Sequence, residues 1–288
     1  MNSVLVVSNF SAGRKRAIKY RRKIQKLLLR KNVNFQFVTI DQLEDIEIEK
    51  FDTILVVGGD GTVNKVLPYL IGTNKTLGII PCGTANLLAA RLGITSVSKV
   101  LKVIEKEQVT NIDVMTVNDN YSILRCGLGY DADIIGKTPQ SLKNKFGYFA
   151  YFIAGIIFAL RLKKKYYTIK LDNEERTVEA SSIIVANAGN MYRNLFSIAK
   201  DGKLNDGLLD IFILKTQNPI MFFVEFLKIL LNIKINNSRT EYLKAKEVTI
   251  KNNYCLAHID GEKTKITEDL KFEIVPKTIS IYLKKDIL

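Results

Sequence analysis

The feature that most constrains the fold of this sequence is a glycine-rich turn directly after a short apolar run. Residues 54–57 read ILVV, and residues 58–62 read GGDGT. A run of this kind is typical of a parallel strand that is covered on both faces. Glycines let the backbone approach a ligand closely, and a helix that begins beside them offers N–H donors to an anion. The segment therefore predicts a strand–turn–helix unit that binds phosphate.

Two polar residues in this turn suggest further chemistry. The carboxylate of Asp60 could hold Mg²⁺-bound water beside a phosphate, and Thr62 is both a natural N-cap and a phosphate donor. An ordinary strand–helix turn with a capping aspartate would also contain these residues, and this alternative stays open. The segment matches neither the P-loop pattern nor the dinucleotide-binding fingerprint.

Strands and helices alternate through the first 118 residues. The patterns predict strands at residues 4–7, 34–40, 53–57, 77–80 and from 112 onward, and helices at 14–31, 62–70, 85–92 and 98–107. Such alternation indicates a parallel α/β layer. Two more polar loops follow strands of this layer, NFSAG at residues 9–13 and PCGTAN at residues 81–86. Because loops at the carboxyl ends of parallel strands converge, the three loops together predict a polyphosphate site.

The remaining chain is rich in strands and poor in helices. Strand-like runs occupy residues 121–125, 167–171, 178–186, 209–214, 247–250, 255–259, 271–275 and 279–283. Helical patterns occur only at residues 146–162 and 220–231. This composition predicts a sandwich or barrel. We place the domain boundary near residues 118–120, so that domains cover residues 1–118 and 119–276.

Charge and rare residues narrow the classes of function. The chain has 43 Lys and Arg against 29 Asp and Glu, a net charge of +14, which predicts attraction to nucleotide phosphates, nucleic acid or an anionic membrane. No nucleic-acid-binding motif supports the second of these. Three distant cysteines and a single histidine, His258, argue against a disulfide framework or a zinc site and favour a reducing compartment. With no signal-peptide pattern at the start, we expect a cytoplasmic protein.

Six segments together resemble the diacylglycerol kinase catalytic-domain family, which includes bacterial lipid kinases and sphingosine kinases. Residues 58–64, GGDGTVN, match its GGDGTxN motif, and residues 81–86 resemble its PxGTxN motif. Residues 9–13 resemble its first loop, with Phe10 in place of proline. The second half contains GLGYDA at 127–132, DGKLNDGLLD at 201–210 and IDGE at 259–262, which match later family segments. The resemblance therefore covers nearly the whole chain.

The resemblance implies an α/β nucleotide-binding domain like those of phosphofructokinases and NAD kinases, then an antiparallel β-sandwich. ATP would bind in the cleft between them, and residues 277–288 would return to the first domain. The implied ATP contacts are Asn9, Ser11, Gly13, Thr39, Gly58, Gly59, Asp60, Gly61, Thr62, Asn64 and Thr84. A structural Mg²⁺ would bind the side chain of Asp206 and the carbonyl groups of Lys203 and Leu208.

The implied catalytic residues are Asp260, Glu262 and Asp60. Phosphoryl transfer needs positioning, charge neutralisation and a group that accepts the hydroxyl proton. Asp260 and Glu262 are alternate residues at a strand end, so a regular strand would direct both to one side, one as base and the other as its support. The residues alone also fit a hairpin turn followed by a surface glutamate. We expect His258 to pack or to form local hydrogen bonds.

The resemblance implies an ATP-dependent lipid kinase in phospholipid biosynthesis, with a diacylglycerol-like or sphingoid-like acceptor. Partners would be the lipid, an anionic membrane surface and a second copy of the chain, without nucleic acid. The sequence departs from the family at Lys65 and Leu87, which replace usual acidic residues. A weakly active or inactive nucleotide-binding, membrane-docking member is therefore the alternative. The apolar helices at 146–162 and 220–231, flanked by lysines, fit either a membrane surface or packing on the sandwich.

Overall fold

The computed structural model describes most of the chain, in two compact units. The described residues are 2–9, 14–83, 86–94, 96–139, 154–155, 157, 159–187, 190–192, 196–197, 203–231, 233, 236–251, 256–265 and 267–283. One unit contains Met1–Ile112 and Lys277–Leu288, and the other contains Asp113–Pro276. No helix within the described ranges is long and apolar enough to cross a membrane.

The first unit is built on a parallel sheet. Its first four strands are β1 (Ser3–Ser8), β2 (Asn34–Thr39), β3 (Thr53–Gly58) and β4 (Thr76–Pro81). They lie in the order β2-β1-β3-β4, and each neighbouring pair is parallel. Every residue of β3 is buried, as the apolar run at residues 54–57 predicts.

Helices follow the strands of this unit. They are α1 (Arg14–Arg30), α2 (Asp60–Val66), α3 (Leu87–Arg91) and α4 (Val97–Glu105), with short 3-10 turns at Ile40–Asp45, Ile48–Lys50 and Leu67–Tyr69. The expected single helix at residues 62–70 is wrong at both ends. It begins at Asp60, and it changes to a 3-10 turn at Leu67 because Pro68 cannot extend an α-helix.

The second unit contains most of the strands, of which the first along the chain begins, and the last ends, in the first unit. They are β5 (Val109–Val117), β6 (Asn120–Ser122), β7 (Arg125–Gly129), β8 (Lys165–Leu171), β9 (Glu174–Ala180), β10 (Ser182–Ala186), β11 (Asn190–Tyr192), β12 (Phe196–Ser197), β13 (Leu209–Leu214), β14 (Thr240–Ala245), β15 (Glu247–Ile250), β16 (Leu256–Ile259), β17 (Glu262–Lys265) and β18 (Leu270–Tyr282). Among the described residues, its helices include α5 (Tyr130–Lys137) and α6 (Pro219–Leu230), with a 3-10 turn at Ala159–Arg161, and residues 154, 155 and 157 are also helical. The predicted helix at 146–162 lies largely outside the described residues.

Ten of these strands form two antiparallel layers with one core between them, while β11 pairs with β12 and β5 and β6 extend from β18. One sheet has the order β14-β13-β10-β7-β16-β17, and the other contains β18-β15-β8-β9. Residues from both sheets, such as Leu128 and Ile211 from the first and Tyr167 and Phe272 from the second, share a single hydrophobic cluster. The second unit is therefore a β-sandwich.

Strand β18 contributes to both units. Leu270 to Glu273 pair antiparallel with β15, whereas Ser280 and Ile281 pair parallel with Thr76 and Leu77 of β4. The two runs expected at 271–275 and 279–283 are thus one strand. In the first unit the side chains of Ile279, Ile281, Tyr282 and Leu283 are almost wholly buried.

Candidate active site

Three loops meet at the carboxyl edge of the first unit's sheet. The N–H of Asn9, just after β1, donates to the carbonyl of Val57 at 3.2 Å. The N–H of Cys82, just after β4, donates to the carbonyl of Gly58 at 2.9 Å. A Cβ on Gly83 would lie 2.6 Å from the Cα of Gly59, so the two loops touch backbone to backbone. The convergence expected from the strand order is present among the residues that are described.

The carboxylate of Asp60 joins the loop after β3 to the helix that follows β4. Its Oδ2 accepts the N–H of Leu87 at 2.9 Å, and its Oδ1 accepts the N–H of Leu88 at 3.0 Å. Both donors belong to the first turn of α3, whose N-terminal amides need acceptors and favour a negative charge. Asp60 is thus the capping aspartate of the alternative interpretation, but it caps the next helix rather than its own.

We expected Thr62 to be the N-cap of helix α2, and this expectation is wrong. The N-cap is Gly59, whose carbonyl accepts the amides of Thr62 at 3.0 Å and of Val63 at 3.1 Å. The side chain of Thr62 is buried against the turn, since a Cβ on Gly58 would lie 2.5 Å from its Oγ1. Gly58 is therefore required by the packing of Thr62 beneath it.

The loop after β4 is fixed by its own asparagine. Asn86 has a left-handed backbone, with φ of 49°. Its Oδ1 accepts the N–H of Gly83 at 2.8 Å, and its Nδ2 donates to the carbonyl of Gly83 at 2.8 Å. This reciprocal pair ties Asn86 to Gly83. Thr84, Ser11 and Gly13 lie outside the described residues.

The other predicted nucleotide contacts lie in the first unit. Thr39 is in register with Ser8 at the ends of β2 and β1. Its hydroxyl donates to Oε1 of Gln42 at 3.1 Å, so it also caps a 3-10 turn. Asn64 is half-buried on α2, and the neighbouring Lys65 is exposed.

The predicted catalytic pair of the second unit is separated by a tight turn. Strand β16 ends at Ile259 and β17 begins at Glu262, and these two residues pair with each other. Asp260 and Gly261 both have positive φ, 48° and 91°, as the two central residues of a hairpin turn often do. The expectation of a regular strand that directs Asp260 and Glu262 to one side is therefore wrong. The hairpin alternative is the geometry present.

The carboxylate of Asp260 is held by four donors from the segment that leads into β7. Its Oδ1 accepts the hydroxyl of Ser122 at 2.9 Å and the amides of Leu124 at 3.1 Å and Arg125 at 2.8 Å. Its Oδ2 accepts the amide of Ile123 at 3.1 Å. Asp260 therefore fixes the turn to this segment.

A buried polar network lies next to this turn, and its members are too far apart in the sequence to form a motif. Oδ2 of Asp131 lies 2.5 Å from Nε2 of His258, and Oδ1 lies 3.3 Å from Nη1 of Arg125. Gly261 donates its N–H to Nδ1 of His258 at 3.3 Å. His258 thus connects Asp131 to the turn.

The charge state of Asp131 follows from its neighbours. Burial raises the pKa of Asp131, but the nearby Arg125 and His258, through their electrostatic effect and their hydrogen bonds, outweigh burial and lower the pKa to about 2. A Cβ on Gly127 would lie 2.0 Å from Oδ2 of Asp131 and 2.5 Å from Nε2 of His258. The pattern at residues 127–132 therefore contains a glycine because the buried pair fills its space.

At the turn where Mg²⁺ is predicted in the second unit, the ammonium group of Lys244 already binds the carboxylate of Asp206. Nζ of Lys244 lies 2.6 Å from Oδ2 of Asp206, and the amide of Leu208 donates to Oδ1 at 3.2 Å. One carboxylate with the carbonyls of Lys203 and Leu208 is an oxygen donor set of the type Mg²⁺ takes, but Lys244 would have to leave Oδ2. In the described part of the chain, no three His, Cys, Asp or Glu residues are grouped as a metal site.

Two family models match this chain. The diacylglycerol kinase catalytic domain matches residues 3–117, and the YegS C-terminal NAD kinase beta sandwich-like domain matches residues 125–283. The chain belongs to the diacylglycerol kinase family. The family and the α/β-plus-sandwich fold class predicted from the sequence are thereby confirmed. Relatives of this chain are named diacylglycerol kinase or lipid kinase.

The match with this chain spans a different share of each relative's length. A diacylglycerol kinase of Bacillus subtilis is 30% identical over 224 residues, which are 76% of this chain and 74% of that protein. An uncharacterized Synechocystis protein is 32% identical over 223 residues, which are 77% of this chain but 49% of that protein. Two Bacillus anthracis structures, the second titled a diacylglycerol kinase, align with all of this chain at TM-scores of 0.82 and 0.74 and identities of 24% and 21%. These structures show a shared fold.

Proposed function

We propose that this chain is an ATP-dependent lipid kinase. It transfers the γ-phosphoryl group of ATP to the hydroxyl of a diacylglycerol-like or sphingoid-like lipid. The observation that carries the proposal is the convergence of the loops after β1, β3 and β4 within the unit that matches the catalytic-domain model. Glycine backbone and helix N-termini at one sheet edge suit the phosphates of a nucleotide.

The nucleotide would bind at this edge. The proposed contacts are Asn9, Ser11, Gly13, Thr39, Gly58, Gly59, Gly61, Thr62, Asn64 and Thr84. Asp60 would act through α3, because its two bonds to that helix fix the loops relative to each other. Mg²⁺ would neutralise phosphate charge during transfer, and Lys65, exposed on α2, would add a positive charge nearby.

Glu262 is the residue we propose as the proton acceptor. It is exposed at the start of β17, whereas both oxygens of Asp260 already accept hydrogen bonds. In the reaction the lipid hydroxyl gives its proton to the carboxylate of Glu262. The lipid oxygen forms a bond to the γ-phosphorus, and the bond to the departing ADP oxygen breaks. Asp260 and His258 would position the turn that carries Glu262.

A nucleotide-binding protein with weak or no transfer is the second candidate. It is favoured by Lys65 and Leu87, which stand where the family has carboxylates, and by the two helix amides that Asp60 already binds. Fewer free carboxylates remain to hold a catalytic Mg²⁺. The Mg²⁺ at Asp206, a homodimer and a cytoplasmic location also stay predictions.

One assay separates the two candidates. The protein, labelled ATP and Mg²⁺ are incubated with mixed micelles that contain diacylglycerol, ceramide or sphingosine, and labelled lipid is measured. Glu262→Gln should lower kcat by about a hundredfold or more with ATP affinity unchanged, as expected for loss of a general base. Glu273→Gln, an exposed glutamate on β18, is the matched control and should be fully active. ATP binding without labelled lipid in any micelle would favour the second candidate.

A further inference from the structure

Helix α6 turns a charged residue inward. Glu225 is 1% exposed, and its carboxylate is fully engaged by neighbours on one side of the helix. It accepts hydrogen bonds from Lys228 at 3.0 Å, Asn237 at 2.9 Å, and Arg239 and Thr240 at 3.4 Å each. A buried carboxylate with this many partners holds the helix in one orientation on the second unit.

The opposite side of α6 is apolar and faces solvent. Ile220, Phe223 and Leu227 on the helix and Leu231 at its C-cap are spaced by three, four and four residues, so they form one face. Their exposed fractions lie between 38% and 69%. Helices on a water-facing surface normally have the reverse arrangement, with apolar residues inward and polar residues outward.

A second exposed apolar element lies beside the helix. The 3-10 turn Ala159–Arg161 contacts α6, and Ala159 shares a hydrophobic cluster with Ile229 and Phe222 of the helix. Leu160 in this turn is 81% exposed, and Ile157 before it is 59% exposed. We call Ile157, Leu160 and the four residues along α6 and its C-cap the apolar face. A contiguous group of exposed large apolar side chains marks an interaction surface.

We propose that the apolar face docks this protein on an anionic lipid bilayer, with α6 lying in the plane of the interface. The choice of a bilayer rests on the proposed function, because a long-chain lipid acceptor has to be reached in a membrane. Charge gives a second argument, since Lys163 and Lys165 are exposed directly after the 3-10 turn and the chain carries +14. Apolar residues with an aromatic ring on one face, bordered by lysines, are the composition of interfacial helices.

Vesicle sedimentation of the full chain tests the proposal. Sucrose-loaded vesicles of phosphatidylcholine, with or without phosphatidylglycerol, are mixed with wild type, with Phe223→Ser/Leu227→Ser and with Leu29→Ser. Leu29 on α1 is 61% exposed and supplies the matched control. The double variant should bind phosphatidylglycerol vesicles about a hundredfold more weakly, at about tenfold per buried side chain. The control should bind like wild type.

A charge variant tests the lipid preference. Lys163→Glu/Lys165→Glu should lose at least about tenfold in binding to phosphatidylglycerol vesicles and change little on pure phosphatidylcholine. Equal vesicle binding by wild type and the Phe223→Ser/Leu227→Ser variant would overturn the proposal. So would a smaller sedimenting species of that variant without lipid, because the face would then be a contact between copies of the chain. Unchanged circular dichroism and melting temperature show that each variant is folded.

A soluble substrate separates this proposal from the kinase proposal. Phosphorylation of a short-chain diacylglycerol below its critical micelle concentration should be equal in wild type and the Phe223→Ser/Leu227→Ser variant. Phosphorylation of long-chain diacylglycerol in vesicles should fall with binding. If wild type phosphorylates neither lipid but its vesicle binding still depends on Phe223 and Leu227, the kinase proposal fails and the docking surface stands.

Discussion

Replacing Asp60 by alanine should destabilise the first unit as well as alter its chemistry. The carboxylate accepts the first two amides of α3, at 2.9 and 3.0 Å. A hydrogen bond to a charged group contributes about 1.5–3 kcal/mol, and this site is partly exposed, which places each bond near the lower figure. Two bonds give a loss of about 2–4 kcal/mol in the free energy of unfolding. Asp60→Asn keeps one acceptor oxygen and should lose about half as much.

Urea unfolding at pH 7, followed by circular dichroism, measures this loss. The chain has no tryptophan, so secondary structure is the better signal. Asp45→Ala, which removes an exposed carboxylate in the same unit, should change the free energy of unfolding by less than about 0.5 kcal/mol. If Asp60→Ala unfolds at the wild-type urea concentration while Mg²⁺-dependent activity is lost, the capping role is refuted. Asp60 would then act on the metal alone.

Three further changes test other contacts. Gly83→Ala should weaken ATP binding in calorimetry and cost about 1–3 kcal/mol in stability, because its Cβ would lie 2.6 Å from backbone of Gly59. Asp131→Asn should cost about 3 kcal/mol at pH 7, since Arg125 stays charged beside it. The pKa of Asp131 is lowered from 3.8 to about 2, so the charged carboxylate stabilises the folded state fully above pH 3.8, and this stabilisation is lost as the pH falls towards 2. In urea titrations, the loss of unfolding free energy caused by Asp131→Asn should therefore be about 1 kcal/mol smaller at pH 3 than at pH 7. Lys244→Met should make the melting temperature rise more with Mg²⁺ than in wild type, because no ammonium then competes for Asp206.

Features set by neighbouring residues could be predicted from the sequence, and features set by distant pairs could not. Strand β3 and the turn after it are visible because burial and glycine chemistry act within a few residues. The partner of Asp60 lies 27 residues further along, and Asp131 and His258 are 127 residues apart. A pattern of residue types does not report which distant backbone amide or imidazole a carboxylate meets. The sequence shows which residue types are present, and the structure shows which partners they meet.

The hairpin at Asp260 shows a different limit. The residues Asp260 and Gly261 are a strong local turn signal, and the hypothesis of a catalytic pair on one strand overrode it. Four donors from Ser122 to Arg125 then hold the aspartate in this turn. Local turn chemistry was the better guide to geometry, although Glu262 remains our proposed base.

Strand β18 has a consequence for how the chain is made. Residues 1–112 leave the ribosome first, but β4 gains its neighbour only when Ser280 and Ile281 have been synthesised. Until then the first unit has an open parallel edge at Thr76–Pro81 and lacks Ile279 and Tyr282 from its interior. An open edge of this kind is a site for pairing with other chains, and contacts between residues so far apart form slowly. The unit made first is therefore completed last, and a nascent chain of this protein should depend on chaperones until its last strand is in place.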